Sequence, residues 1–117
     1  MAATITDFGG RYRRYYETSG ANTALTMAVA PGVPFRVLTS TVAYSASPTQ
    51  TGVTQTLNSG IGATYDATLN TASANVRYNA YQPSEPLCLA ADDSFDVTAP
   101  AAGGVITGAI SVYVELL

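Results

Sequence analysis

Apolar and polar residues alternate along most of this chain with a period of two. The C-terminal segment shows it best. Ile106, Ile110, Val112, Val114 and Leu116 share one face, and Thr107, Ser111, Tyr113 and Glu115 share the other. Alternation rich in β-branched residues predicts a half-buried strand from Val105 to Leu117. Between Pro34 and Ser45, Leu38, Val42 and Tyr44 alternate with Thr39, Thr41 and Ala43. Val53 to Leu57 forms a shorter run of the same kind. Asn75 to Tyr81 sets Val76, Tyr78 and Ala80 against Arg77, Asn79 and Tyr81. Ser94 to Thr98 places Phe95 and Val97 on one side. Thr23 to Ala30 and Thr4 to Phe8 carry weaker versions of the pattern.

Turn-forming residues separate these runs: Pro31-Gly32, Ser47-Pro48, Asn58-Ser59-Gly60, Gln82-Pro83-Ser84, Asp92-Asp93 and Pro100 to Gly104. Short strands punctuated at intervals of about ten residues predict an all-β fold, an antiparallel β-sandwich or jelly-roll-like arrangement. The segment Ala63 to Ala74 is ambiguous. Ile61, Tyr65 and Leu69 recur every fourth residue, as on a helix, but Thr64, Thr68 and Thr71 favour a strand. The expected organisation is residues 1–20 as an N-terminal arm or first strand, and residues 21–117 as the sandwich.

A chain of 117 residues suits one domain. It buries only about two-thirds of its unfolded surface, so partners that bury more would stabilise it. The net charge is −3, which does not favour a general attraction for nucleic acid. The start of the chain lacks the basic-then-apolar pattern of a signal peptide, and no apolar run approaches a membrane span. Synthesis in a cytoplasm, with no membrane and no nucleic-acid partner, is the expectation.

The chain has no histidine, lysine or tryptophan. The commonest general base, the Schiff-base nucleophile and most zinc ligands are therefore missing. Asp66, Glu85, Asp92, Asp93, Asp96 and Glu115 could in principle pair for glycoside hydrolysis. A chain this small has little material for a deep cleft as well as a core, so the expectation is a non-enzyme without cofactor. Asp92, Asp93 and Asp96 suggest calcium, but their spacing matches no ligand loop; a turn that starts a strand accounts for them, and no metal is expected. Cys88, the single cysteine, lies in the apolar stretch Pro86 to Ala90 and reads as a buried thiol. No basic residue near it in sequence would activate it.

The most unusual local feature is Arg11-Tyr12-Arg13-Arg14-Tyr15-Tyr16, which holds three of the five basic residues. Arginine and tyrosine dominate interface hot spots, so these six residues are the interface candidates. As a strand, the segment turns Arg11, Arg13 and Tyr15 one way and Tyr12, Arg14 and Tyr16 the other. As an arm, it lies whole across a neighbour.

Asn58 to Asp66, Pro83 to Val97 and the final strand Ile110 to Leu117 resemble small β-sandwich structural proteins of tailed-bacteriophage virions. The resemblance covers about half of the chain and carries no catalytic signature. It implies a virion component: a capsid decoration (cement) protein, or an accessory head or fibre protein. It also implies a homo-oligomer, with a trimer favoured, a location on the capsid surface, and the major capsid protein or another virion protein as partner. The alternative from a different class is a head- or tail-fibre module, or a receptor- or glycan-binding β-sandwich, in which exposed Tyr and Asn residues meet a sugar. A fold of this kind does not by itself fix the function.

Overall fold

Alternation gives each strand two faces, and the turns set where the strands stop. The computed structural model describes residues 3–117. Its strands are β1 (Thr4–Asp7), β2 (Tyr12–Thr18), β3 (Leu25–Val29), β4 (Phe35–Tyr44) and β5 (Thr54–Asn58). β6 (Ala67–Thr71), β7 (Tyr78–Tyr81), β8 (Leu87–Leu89), β9 (Ser94–Ala99) and β10 (Gly108–Leu116) follow. They form two antiparallel sheets. The larger runs β1-β2-β10-β4-β7, with β8 also paired to β4; the smaller runs β3-β9-β5-β6. β7 and β8 lie end to end along one side of β4, opposite Ser40–Ala43 and Phe35–Val37 respectively. The protein is an all-β antiparallel sandwich.

The core lies between the sheets. Ile110, Val112 and Val114 of β10 meet Phe95 and Val97 of β9 and Met27 and Val29 of β3, all essentially without solvent contact. Each such side chain contributes about 1.5–3 kcal/mol through burial. Tyr81 of the larger sheet stacks on Phe95 of the smaller one, with centroids 6.2 Å apart. Two polar contacts also join the layers. Gln55 Nε2 on β5 donates to Asn79 Oδ1 on β7 at 2.8 Å, and the Tyr44 hydroxyl donates to the Pro100 carbonyl at 2.9 Å. Burial pushes the Tyr44 phenol above its ordinary pKa.

Several expectations take a definite form here. Residues 4–18 are a hairpin, and β2 pairs along β10 from Thr18–Ala109 to Tyr12–Glu115. An arm is not formed, because Gly9 and Gly10 both take positive φ (86° and 61°) and reverse the chain. Asp7 Oδ1 accepts the Gly9 N–H at 2.8 Å inside that turn. The ambiguous segment divides into a short 3-10 turn, Ala63–Tyr65, and β6. Leu38 does not continue the buried series of Val42 and Tyr44. The register shift opposite Tyr113 and Val114 leaves it as the extra residue of a bulge. Asn75 and Val76 precede β7 rather than belonging to it, and Asn75 has φ 65°.

Cys88 is a correction. It is exposed, not buried. In the three-residue β8, alternation turns Leu87 and Leu89 towards the core and leaves Cys88 on the outside, opposite Arg36.

Candidate binding face on the larger sheet

Strand parity divides the Arg/Tyr segment. Arg13, Tyr15 and Glu17 share a face with the core residues Val114, Val112 and Ile110. Tyr15 is 4% exposed, so it is a core residue and not a surface contact, contrary to the sequence expectation. Arg13 sits at the rim of that inner face, 3.9 Å from Asp7 Oδ2. Tyr12, Arg14 and Tyr16 point the other way, onto the outer face of the larger sheet. Arg11 precedes β2, and its guanidinium lies 3.2 Å from Glu115 Oε2 on that outer face.

Cross-strand pairing then adds residues that the sequence reading did not single out. Arg14 lies opposite Tyr113, which lies opposite Thr39. Tyr16 lies opposite Ser111, which lies opposite Thr41 and then Ala80. Arg14 Nε donates to Ser111 Oγ at 2.9 Å, which fixes the guanidinium plane. Its Cζ lies 4.3 Å from the centre of the Tyr16 ring and 5.8 Å from that of Tyr113. Phe8, carried back by the β1–β2 turn, stacks on Tyr113 at 6.1 Å with ring planes 12° apart. The result is a continuous strip, Phe8–Tyr113–Arg14–Tyr16. It remains open to solvent, with Phe8 57% and Tyr113 37% exposed.

A low floor lies beside the strip. Ser111, Thr41, Ala43, Ala109 and Ala80 have short side chains, so the sheet surface dips between Tyr16 on β2 and Tyr78 on β7. Those strands are three steps apart, roughly 14 Å at the usual spacing. At one end the dip deepens into a depression of about 260 Å³ lined by Tyr16, Thr18, Ala43 and Thr107, among others. Arg77 borders the far side. Its Nε and Nη2 donate to the carbonyls of Tyr44 and Ser45, and its Cζ lies 5.3 Å from the Tyr78 ring centre. At the other end, Glu115 is held between Arg36 and Arg11 and is itself nearly inaccessible.

The outer face of the smaller sheet is different in kind. One row across it is Thr26, Thr98, Thr54 and Thr71, and the next is Ala28, Asp96, Thr56 and Thr68. It offers hydroxyls and no aromatic ring. Apart from Asp7 on β1, the aspartates belong to this sheet and its end loops, where Asp66 and Asp93 bind backbone. Asp93 accepts the Gly60 N–H at 3.0 Å and the Ala90 N–H at 2.9 Å, and Asp66 accepts the Ser59 N–H at 2.7 Å. The two bonds to Asp93, that from Gly60 first, hold its carboxyl below the usual aspartate range. Asp96 bonds Ser94 and Asn58. Among the described residues no three ligating side chains are grouped to hold a metal ion.

The signals for the missed residues were faint but present. Tyr113 is an aromatic on the polar side of a strand. Gly9-Gly10 between two alternating runs is a hairpin signal that returns Phe8 to the sheet.

No family model matches the chain, and no curated protein matches it. Solved structures that overlap it loosely include two carbohydrate-binding modules. One is a lysine-to-alanine mutant of CBM29-2 complexed with cellulohexaose, a family 29 carbohydrate-binding module. It is 18% identical, with 98% of this chain and 75% of that chain covered and a TM-score of 0.42. The other is described as a carbohydrate-binding module of family 29. It is 15% identical, with coverage of 98% and 73% and a TM-score of 0.36. Overlaps this loose carry no argument about what the chain binds, so the functional reading rests on the face itself.

Proposed function

We propose that this protein is a non-catalytic binding module that holds a polysaccharide chain along the outer face of its larger sheet. The observation that carries this reading is the open strip Phe8–Tyr113–Arg14–Tyr16 beside a floor of small hydroxyl and methyl groups. Flat aromatic and guanidinium surfaces stack against the apolar faces of sugar rings, and Ser111, Thr39 and Thr41 offer hydroxyls to bond the ring edges. The side chains stand on the rigid central strands β2, β10 and β4, so little ordering entropy is lost on binding. Affinity electrophoresis through gels containing a panel of soluble polysaccharides tests it. Retardation by at least one polymer, lost in Tyr113→Ala, is the expected result. Unretarded migration in every gel overturns it.

A second reading is favoured by a different observation. Ile61, Tyr65 and Val105, in loops of the sandwich, are 70%, 61% and 86% exposed. Apolar tips of this kind suit contacts between protein molecules in an assembly. They support the expectation of a virion structural protein, a homo-oligomer seated on a capsid shell, with Arg11, Tyr12, Arg14 and Tyr16 as its outward attachment residues. Light scattering on the purified chain, followed by binding to shells that lack it, tests this reading. A monomer that leaves such shells bare counts against it.

A further inference from the structure

The net charge of −3 conceals a spatial separation of signs. Arg11, Arg14, Arg36 and Arg77 all belong to the outer face of the larger sheet or its border. Among the described outward strand positions of that sheet, Glu115 is the only carboxylate, and Arg11 and Arg36 already hold it. Glu85 lies at the margin, in the β7–β8 loop beside Arg36. Asp66, Asp92, Asp93 and Asp96 gather instead on the smaller sheet and its loops, committed in part to backbone N–H groups. The platform is therefore cationic on a protein that is acidic as a whole.

Resting on the polysaccharide reading, we infer that the ligand is an acidic polysaccharide, one bearing carboxylate or sulfate groups along its chain. Arg14 spends its Nε on Ser111, and among the described residues no hydrogen bond or ion pair occupies its two terminal nitrogens. A guanidinium fixed at Nε presents a planar pair of donors, which matches a carboxylate or sulfate. Arg14 and Arg77 lie on opposite sides of the low floor, so a chain crossing the floor meets a cation at each border. A neutral polymer would gain the ring contacts but would displace water from those cations without replacing its bonds. The acidic loops on the other sheet repel a polyanion, which orients its approach towards the arginine face.

The test uses two polymers with one backbone. The purified chain is titrated with polygalacturonate and with its fully methyl-esterified form, which keeps the sugar ring and removes the charge, at low and at high NaCl. The expected result is binding to polygalacturonate at least about ten-fold tighter than to the ester, falling steeply as salt rises, and weakened several-fold in Arg14→Gln. Equal binding to the two polymers overturns the inference while leaving the polysaccharide reading intact. Binding to neither, with no retardation by any other polysaccharide, overturns both. Single-stranded poly(dT) bound as tightly as polygalacturonate would show a general polyanion surface and would also overturn the inference. The polymer comparison needs no variant, so it stands even if Arg14→Gln folds poorly.

Discussion

The guanidinium of Arg14 lies 4.3 Å from the centre of the Tyr16 ring, two residues along the same strand and on the same outward face. The two are in contact, so a cation and an aromatic surface are presented together. An exposed pair of this kind contributes about 0.5–1 kcal/mol to stability. Replacing Arg14 by lysine keeps the charge and loses the planar stacking and the fixed bond to Ser111. Arg14→Lys is therefore expected to melt within a few degrees of the parent and to lose most polysaccharide retardation. A melting curve and an affinity gel on the same preparation check both halves.

Glu115 is the most committed charge on that face. Its side chain is 7% exposed and lies between Arg36 and Arg11. Glu115→Gln leaves both guanidinium groups without a counter-charge. Because Arg11 and Arg36 reach solvent, the cost is about 2 kcal/mol rather than the larger figure of a fully buried pair. Urea denaturation should show a lower midpoint with an unchanged slope.

Gln55 is fully buried, and its amide spans the sandwich to Asn79 at 2.8 Å while its Oε1 has no donor among the described residues. Asn79→Leu strands the remaining half of a buried amide and should cost about 1–3 kcal/mol. The double replacement Gln55→Leu with Asn79→Leu removes both polar partners and should recover most of that loss. A double-mutant cycle by denaturant unfolding measures the coupling, and additive effects would refute it.

Asp93 predicts the acid limb of stability. Its folded carboxyl titrates below the ordinary value because Gly60 and Ala90 donate to it. The depressed folded value means that its contribution is complete above the unfolded value, about 3.9, and is lost as pH falls from there through the folded one. Melting temperature followed from pH 6 to pH 2.5 should drop in that window. In Asp93→Asn the curve should start lower and be flatter.

Much of the fold follows from local pattern. β10 is legible because Ile110, Val112 and Val114 alternate with Ser111, Tyr113 and Glu115, and alternation is imposed by pleat geometry whatever the strand's neighbours. β9 and β4 are legible for the same reason, and Asp92-Asp93 reads as the turn it is. β8 is not legible, because three residues are too short to show a period. Leu38 misreads because a bulge formed against β10 shifts it out of the buried series, and Cys88 misreads because a strand too short to show a period hides which of its residues point outward.

The sequence by itself determined the class of fold, the absence of histidine and lysine chemistry, and the clustering of arginine and tyrosine from Arg11 to Tyr16. Only the tertiary structure decided which of those six residues reach the outer face of the sheet. It turned Tyr15 into the core, set Arg14 between Tyr16 and Tyr113, and brought Phe8 back over the sheet. It also separated four arginines from four aspartates that the sequence merely sums to a weak negative charge. The physical reason is the same in each case. A strand's own period says that neighbouring residues point in opposite directions. Which direction is inward, and which strands lie alongside, is set by pairing and burial between segments far apart in the chain.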